Sequence, residues 1–182
     1  ATAEVALRQA CCVVGQPRLR MQLGLGQTKI AVQPDPQAPA GALMQWPAAL
    51  LTGLGTPWNT LQLGGMVKLA ARDLQIERVQ GRIRVLGFAQ LDMQDTRSRV
   101  ATLDTLGSYR LTVQGDPAQG DAKLQLTTVE GALQLSGDGL WTAAGARFRG
   151  QAQAAPGNET ALNNLLNIIG RRQGDRSVIS IG

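Results

Sequence analysis

The residue types that most often carry chemistry are largely missing from this chain. Its 182 residues include no histidine. That removes Ser/His and Cys/His nucleophile pairs, imidazole proton transfer and most zinc sites. Carboxylates remain as candidates for paired acid/base work of the glycosidase kind. Asp92 and Asp95 are close in sequence, as are Asp116 and Asp121, and all four sit near turn signals. Aspartate is expected there to cap backbone amides, so a structural role is the plainer reading. Leu23-Gly24-Leu25-Gly26 offers only Gly-x-Gly, inside a strand pattern, and there is no Gly-x-x-x-x-Gly-Lys phosphate loop. The chain reads as non-enzymatic, with no cofactor and no metal.

Arginine is the residue type whose spacing does suggest a task. Arg-x-Arg occurs at Arg18/Arg20, Arg82/Arg84, Arg97/Arg99 and Arg147/Arg149. On a strand, positions i and i+2 share a face. Three of these pairs interleave with apolar residues, which should put their guanidinium groups opposite the core. Arginine forks fit carboxylates or phosphates. The pairs suit either a solvated polar face or docking to an acidic protein surface or lipid headgroups.

Trp46, Trp58 and Trp141 are the next candidates, as interface anchors or as core residues. Trp46 and Trp58 flank a proline-rich stretch and could pin it to a sheet. Val178, Ile179, Ser180 and Ile181 form a short terminal strand pattern that is either paired internally or left as an edge for a partner strand. Cys11 and Cys12 are the only cysteines. Neighbours rarely pair with each other, because disulfide geometry needs more separation than one peptide bond gives. Either they are ordinary strand residues or they serve a redox or intermolecular bond.

The elements that position these residues are mostly strands. Apolar residues at alternate positions mark half-buried strands. Leu19, Met21, Leu23 and Leu25 alternate, and Ile30 and Val32 resume after Gly26-Gln27-Thr28, as in a hairpin. Five prolines break the pattern over residues 33–58, which reads as connection rather than sheet. Within it, Pro47 to Thr52 could form a short helix. Alternation resumes at Leu61 and Leu63, then Val67 and Leu69, whereas Leu74 and Ile76 have the opposite parity. A bulge near Arg72 and Asp73 would explain that switch. Further strands carry Ile83 and Val85, Leu91 and Met93, Tyr109 to Val113, Leu124 and Leu126, Leu133 and Leu135, and Phe148. Turn signals separate them at Gly115-Asp116-Pro117, Gly120-Asp121, Glu130-Gly131 and Gly137-Asp138-Gly139.

One segment has helical periodicity. Ala161, Leu165 and Ile168 form one row, and Leu162, Leu166 and Ile169 the next. Asn158 is placed to cap the start, and Arg171 and Arg172 to oppose the negative end of the dipole. There is no βαβ rhythm. The expected fold is mainly β: a single twisted antiparallel sheet in one domain over residues 1–182, curved towards a half-barrel, with the C-terminal amphipathic helix on its apolar face.

Composition agrees. Apolar residues make up 43% and aromatics 3%, so aliphatic side chains must fill the core. The net charge of +5 invites nucleic acid, anionic lipid or an acidic protein. Nucleic-acid readers usually add exposed aromatics or a reading motif, and neither is evident, so no nucleic acid is expected. No apolar run approaches the roughly 20 residues that span a bilayer. Starting at Ala1 without methionine, the chain reads as an excised soluble piece whose anchor is absent.

Two long stretches carry a resemblance. One is Trp46-Pro47-Ala48-Ala49 through Leu54-Gly55-Thr56-Pro57-Trp58-Asn59-Thr60-Leu61. The other runs from Arg147-Phe148-Arg149-Gly150 through Ala154-Ala155-Pro156-Gly157 and Leu165-Leu166-Asn167-Ile168-Ile169-Gly170-Arg171-Arg172 to Ser177-Val178-Ile179-Ser180-Ile181-Gly182. Ser98 to Leu111, with Leu103-Asp104-Thr105-Leu106-Gly107-Ser108-Tyr109, adds to them. Together they resemble the protein N family of the bacterial type II secretion system, also called general secretion pathway protein N. The resemblance implies a single-pass inner-membrane protein with this domain in the periplasm, serving export of folded proteins across the outer membrane. It implies partners among the secretin, inner-membrane or pseudopilus subunits, a membrane tie through the missing N-terminal anchor, and no catalytic residues. The oxidising periplasm would bear on Cys11 and Cys12 as an intermolecular disulfide. The alternative from another class is a periplasmic lipid-binding or lipid-shuttling sheet, whose curved Ala/Leu/Ile/Val interior holds acyl chains.

Overall fold

Alternating side chains bury one face of a strand at a time, and this chain uses that geometry nearly throughout. The structure is a computed structural model that describes residues 2–6, 15, 17–33, 43–54 and 58–182. Strands β1 (Thr2–Ala6), β2 (Arg18–Gly24), β3 (Gln27–Gln33) and β4 (Met44–Pro47) come first. A 3-10 segment (Ala48–Leu54) and a single turn, α1 (Trp58–Leu61), follow. Then come β5 (Leu63–Val79), β6 (Arg82–Ser98), β7 (Gly107–Gly115), β8 (Ala122–Glu130), β9 (Leu133–Thr142) and β10 (Gly145–Ala154). Helix α2 (Glu159–Ile169), β11 (Arg171–Gln173) and β12 (Arg176–Ile181) complete the chain.

All twelve strands belong to one antiparallel sheet, ordered β1-β2-β3-β5-β6-β7-β8-β9-β10-β12-β11, with β4 pairing β5 beside β3. The sheet is not closed; β1 and β11 are its two ends. It curls most at the end next to α2. There Leu133 N donates to Leu106 O at 3.0 Å, and the Tyr109 hydroxyl donates to Leu133 O at 3.0 Å. Leu106 immediately precedes β7, so these bonds bring the start of β7 against the start of β9, beyond the end of β8. Thr128 helps to open the β8–β9 ladder: its hydroxyl donates to Leu135 O and accepts from Leu135 N, replacing backbone pairing.

The core is aliphatic. Val67, Leu106, Tyr109, Leu133, Ala152, Leu162, Leu165 and Leu166 are buried in one cluster between α2 and the inner face of the sheet. A second cluster of Leu43, Ala71, Leu74 and Ala89 lies around the β5–β6 irregularity. The register shift between Arg72 and Gln75 is the bulge expected from the parity switch at Leu74. Asp73 there takes φ +51°, and Gly87 on the facing strand takes φ +84°.

Several expectations are corrected. Residues 33–58 are not all connection, because Met44–Pro47 is a strand on β5. Pro47 tolerates this as the last residue of a short strand. The β2–β3 turn is Leu25-Gly26, one residue earlier than read. Gly137-Asp138-Gly139 is no turn but lies inside β9. Its glycines make room for an aromatic ring: a Cβ on Gly137 would stand 2.5 Å from Phe148 Cζ, and one on Gly139 3.1 Å from Phe148 Cδ2. Asn158 caps α2 only with its carbonyl, which accepts from Leu162 N at 3.1 Å, and its side chain makes no cap bond. Glu159 instead accepts from Gly157 N at 3.2 Å. Arg171 and Arg172 belong to β11, not to the last helical turn. Ile168 is 41% exposed, while Leu165 in the same row is 1% exposed.

Two buried serines tie helices to the sheet. The last carbonyls of a helix have no partner within it. The Ser177 hydroxyl of β12 donates to Leu166 O of α2, and the Ser98 hydroxyl of β6 donates to Leu61 O of α1 at 2.5 Å. Ser177→Ala is expected to cost about 1–2 kcal/mol, because Leu166 O is then buried without that donor. Urea denaturation monitored by circular dichroism checks this.

Candidate functional site

Strand alternation sorts the candidate residues between two faces. Arg18 and Arg20 flank half-buried Leu19 on β2 and are exposed. Arg147 and Arg149 flank Phe148 on β10 and are exposed on the face away from α2. Arg84 lies across from Glu77, which forms an ion pair with Lys29 at 3.1 Å. The three pairs therefore share the outer face but form no single patch. Two strands separate β2 from β6, and three separate β6 from β10. At about 4.8 Å per strand, that is about 14 Å and about 19 Å along the sheet.

The pairs also differ in freedom. Arg84 is half-buried against the β7–β8 turn, where a Cβ on Gly120 would stand 2.1 Å from its Nε. Arg149 lies directly across from Asp138 in the ladder. Among the described residues, Arg18, Arg20, Arg82, Arg147 and Arg149 make no ion pair. Arg97 and Arg99 fall elsewhere, beside an open depression near Gln62, Thr52 and Asp104 at the helix end.

Two of the four candidate carboxylates, Asp92 and Asp116, are occupied by structural work. Asp92 is not near a turn but in the middle of β6, where it accepts from Arg110 Nε at 2.6 Å and from Gln90 Nε2 at 2.7 Å. Asp116 accepts from Ala118 N at 2.8 Å and from Gln119 N at 3.4 Å, holding the β7–β8 turn. Among the described residues, no three of His, Cys, Asp and Glu gather as a metal site would need. Burial raises the Tyr109 phenol well above its ordinary pKa, so it stays a protonated donor to Leu133 O.

Trp46, on β4, packs against the main core. Trp58 starts α1, and Trp141 is half-buried on β9. Cys11 and Cys12 lie outside the described residues. On β12, Arg176, Ser177 and Val178 are paired on both sides, by β10 and β11. Ile179, Ser180 and Ile181 have β10 on one side and no strand on the other among the described residues. Only that half of the terminal strand is an edge.

Residues 5–179 match the family model described as type II secretion system (T2SS), protein N. The chain belongs to this family. No curated protein and no solved structure was found to match it. Family membership makes this chain a component of type II secretion. The stretches that carried the resemblance are the parts that close the core. Trp46 to Leu61 supplies β4, the 3-10 segment and α1, and Arg147 to Gly182 supplies β10, α2, β11 and β12. Ser98 and Ser177 had no chemical signal of their own beyond lying inside those stretches. No helix among the described residues is long and apolar enough to cross a membrane.

Proposed function

We propose that this chain is a non-enzymatic periplasmic scaffold or adaptor, held at the inner membrane by a single span. It contributes to export of folded proteins by docking another secretion subunit, with the secretin and the inner-membrane and pseudopilus components as the candidates. The observation that carries this reading is the set of exposed arginines on the outer face, free of ion pairs among the described residues. An acidic partner surface completes such forks with carboxylates. Trp46, packed against the main core, serves this reading by holding β4 in place, and the open half of β12 offers a secondary contact.

Arg147 and Arg149 are the better test than Arg82 and Arg84, because Arg84 is packed on Gly120. Arg147→Glu with Arg149→Glu is expected to weaken capture of the secretion subunits by tenfold or more, a loss of about 1.4 kcal/mol. Arg149→Glu faces Asp138, so stability should fall by only about 1 kcal/mol or less and the protein should stay folded. Affinity capture at fixed salt, with a thermal melt of each variant, makes the measurement. Equal capture by both proteins counts against docking through this face.

A further inference from the structure

Helix α2 covers only part of the inner face. Its leucines pack near the sheet end that holds Tyr109, Leu133 and Ala152. Towards the opposite end, where the β2–β3 and β5–β6 hairpins turn, the same face continues beyond the residues on which α2 packs. Met21, Ile30, Ile76 and Val85 stand directly across from one another on four neighbouring strands. They form an unbroken aliphatic row about 14 Å long. Ile76 is 36% exposed and the flanking Ile83 41%. On the other half of the sheet, Leu124, Gly139 and Phe148 align in the same way, with Ile181, 57% exposed, across from Phe148.

A cation stands at the rim of this surface. Arg78 lies two residues after Ile76, so both point to the inner face. In the ladder it is flanked by Thr28 and Ile83. It is exposed and makes no ion pair among the described residues. The arginines of the Arg-x-Arg pairs on β2, β6 and β10 point outward, whereas this one sits at the mouth of an apolar row. The β3, β5 and β6 backbones are consumed by their own ladders over these positions. The row therefore asks its occupant for no hydrogen bonds, and its rim asks for an anion.

We propose that the inner face beyond α2 binds one anionic phospholipid, with an acyl chain along the Met21–Val85 row and the phosphate at Arg78. Apolar burial would hold the chain, and the guanidinium fork would hold the phosphate. The neighbouring half of the same face is already filled by the leucines of α2, so the surface is shaped for an aliphatic filling. This site is separate from the outer-face docking surface, and either can fail alone.

The test uses the whole chain incubated with phosphatidylglycerol vesicles, re-isolated by gel filtration and weighed by native mass spectrometry. The expected result is protein free of vesicles carrying one added phosphatidylglycerol. Ile76→Glu and, separately, Ile83→Glu should each reduce the lipid-bound fraction at least tenfold while the far-ultraviolet spectrum and melt stay unchanged. Arg78→Ala should reduce phosphatidylglycerol retention several-fold and leave phosphatidylcholine retention unaltered. Protein re-isolated without lipid, or found only on intact vesicles, overturns the proposal. So does equal lipid retention by the glutamate variants, or displacement of the lipid by an amphipathic peptide that binds better than any lipid tried.

Discussion

Leu165→Ala is expected to destabilise the protein by about 3 kcal/mol, within the range of roughly 2–5 kcal/mol for buried leucine truncations. Leu165 is 1% exposed and sits with Leu162 and Leu166 between α2 and the curled end of the sheet. Removing its side chain leaves a cavity that cannot collapse easily. The ladders fix the sheet on one side, and the Ser177 hydroxyl on Leu166 O fixes the helix on the other. For a chain of this size, the melting temperature should fall by about 6–12 °C. Ile168→Ala is the matched control. Ile168 belongs to the same sequence row but is 41% exposed, and its truncation should cost less than about 1 kcal/mol. Thermal melts and urea midpoints of the two variants separate these outcomes. Equal losses would mean that α2 does not face the sheet as described.

Gly87→Val should be at least as damaging. Gly87 takes φ +84°, and a Cβ there would lie 2.2 Å from Asp73 O and 2.8 Å from Arg72 O. Both neighbours are backbone, so neither can rotate away. The substitution adds left-handed strain of about 1–3 kcal/mol to a clash that forces the β5–β6 bulge apart. A total loss above about 3 kcal/mol, or failure to accumulate folded protein, is expected. Gly26→Ala isolates the conformational part. Gly26 has φ +73° with nothing within 4 Å of an added Cβ, so about 1–2 kcal/mol is expected. Urea midpoints for both variants test the difference. If the two cost the same, the close approach at Asp73 contributes nothing.

Much of the architecture was legible because period-two alternation is a direct readout of a half-buried strand. The bulge at Arg72 and Asp73 followed from a single parity switch, and the antiparallel order from turn residues between strands. What misled was local chemistry whose meaning depends on a distant neighbour. Gly137-Asp138-Gly139 has turn composition, yet the Phe148 ring on the adjacent strand takes the space that side chains would fill. Met44–Pro47 looked excluded by proline, yet its place at the end of a short strand removes the conflict. Asn158 has cap chemistry but uses only its carbonyl.

The candidate surface was legible in part. Alternation correctly sent Arg18, Arg20, Arg147 and Arg149 away from the core. It carried no information on the spacing between pairs, because that depends on strand order, nor on the packing of Arg84 over Gly120. Ser98 and Ser177 were invisible as functional parts, since a serine in a strand pattern gives no sign of the helix carbonyl it will meet. Arg78 carries no sequence signal because it has no Arg-x-Arg partner; its meaning arises only from the aliphatic row beside it.

Site-specific photocrosslinking in secreting cells tests the central claim most directly, with the crosslinker placed in turn at Arg20, Arg149 and Ile168. The outer-face docking account predicts adducts with another secretion subunit from Arg20 and Arg149, and none from Ile168 on the exposed side of α2. Adducts from Ile168 alone, with both outer-face positions silent, would contradict it.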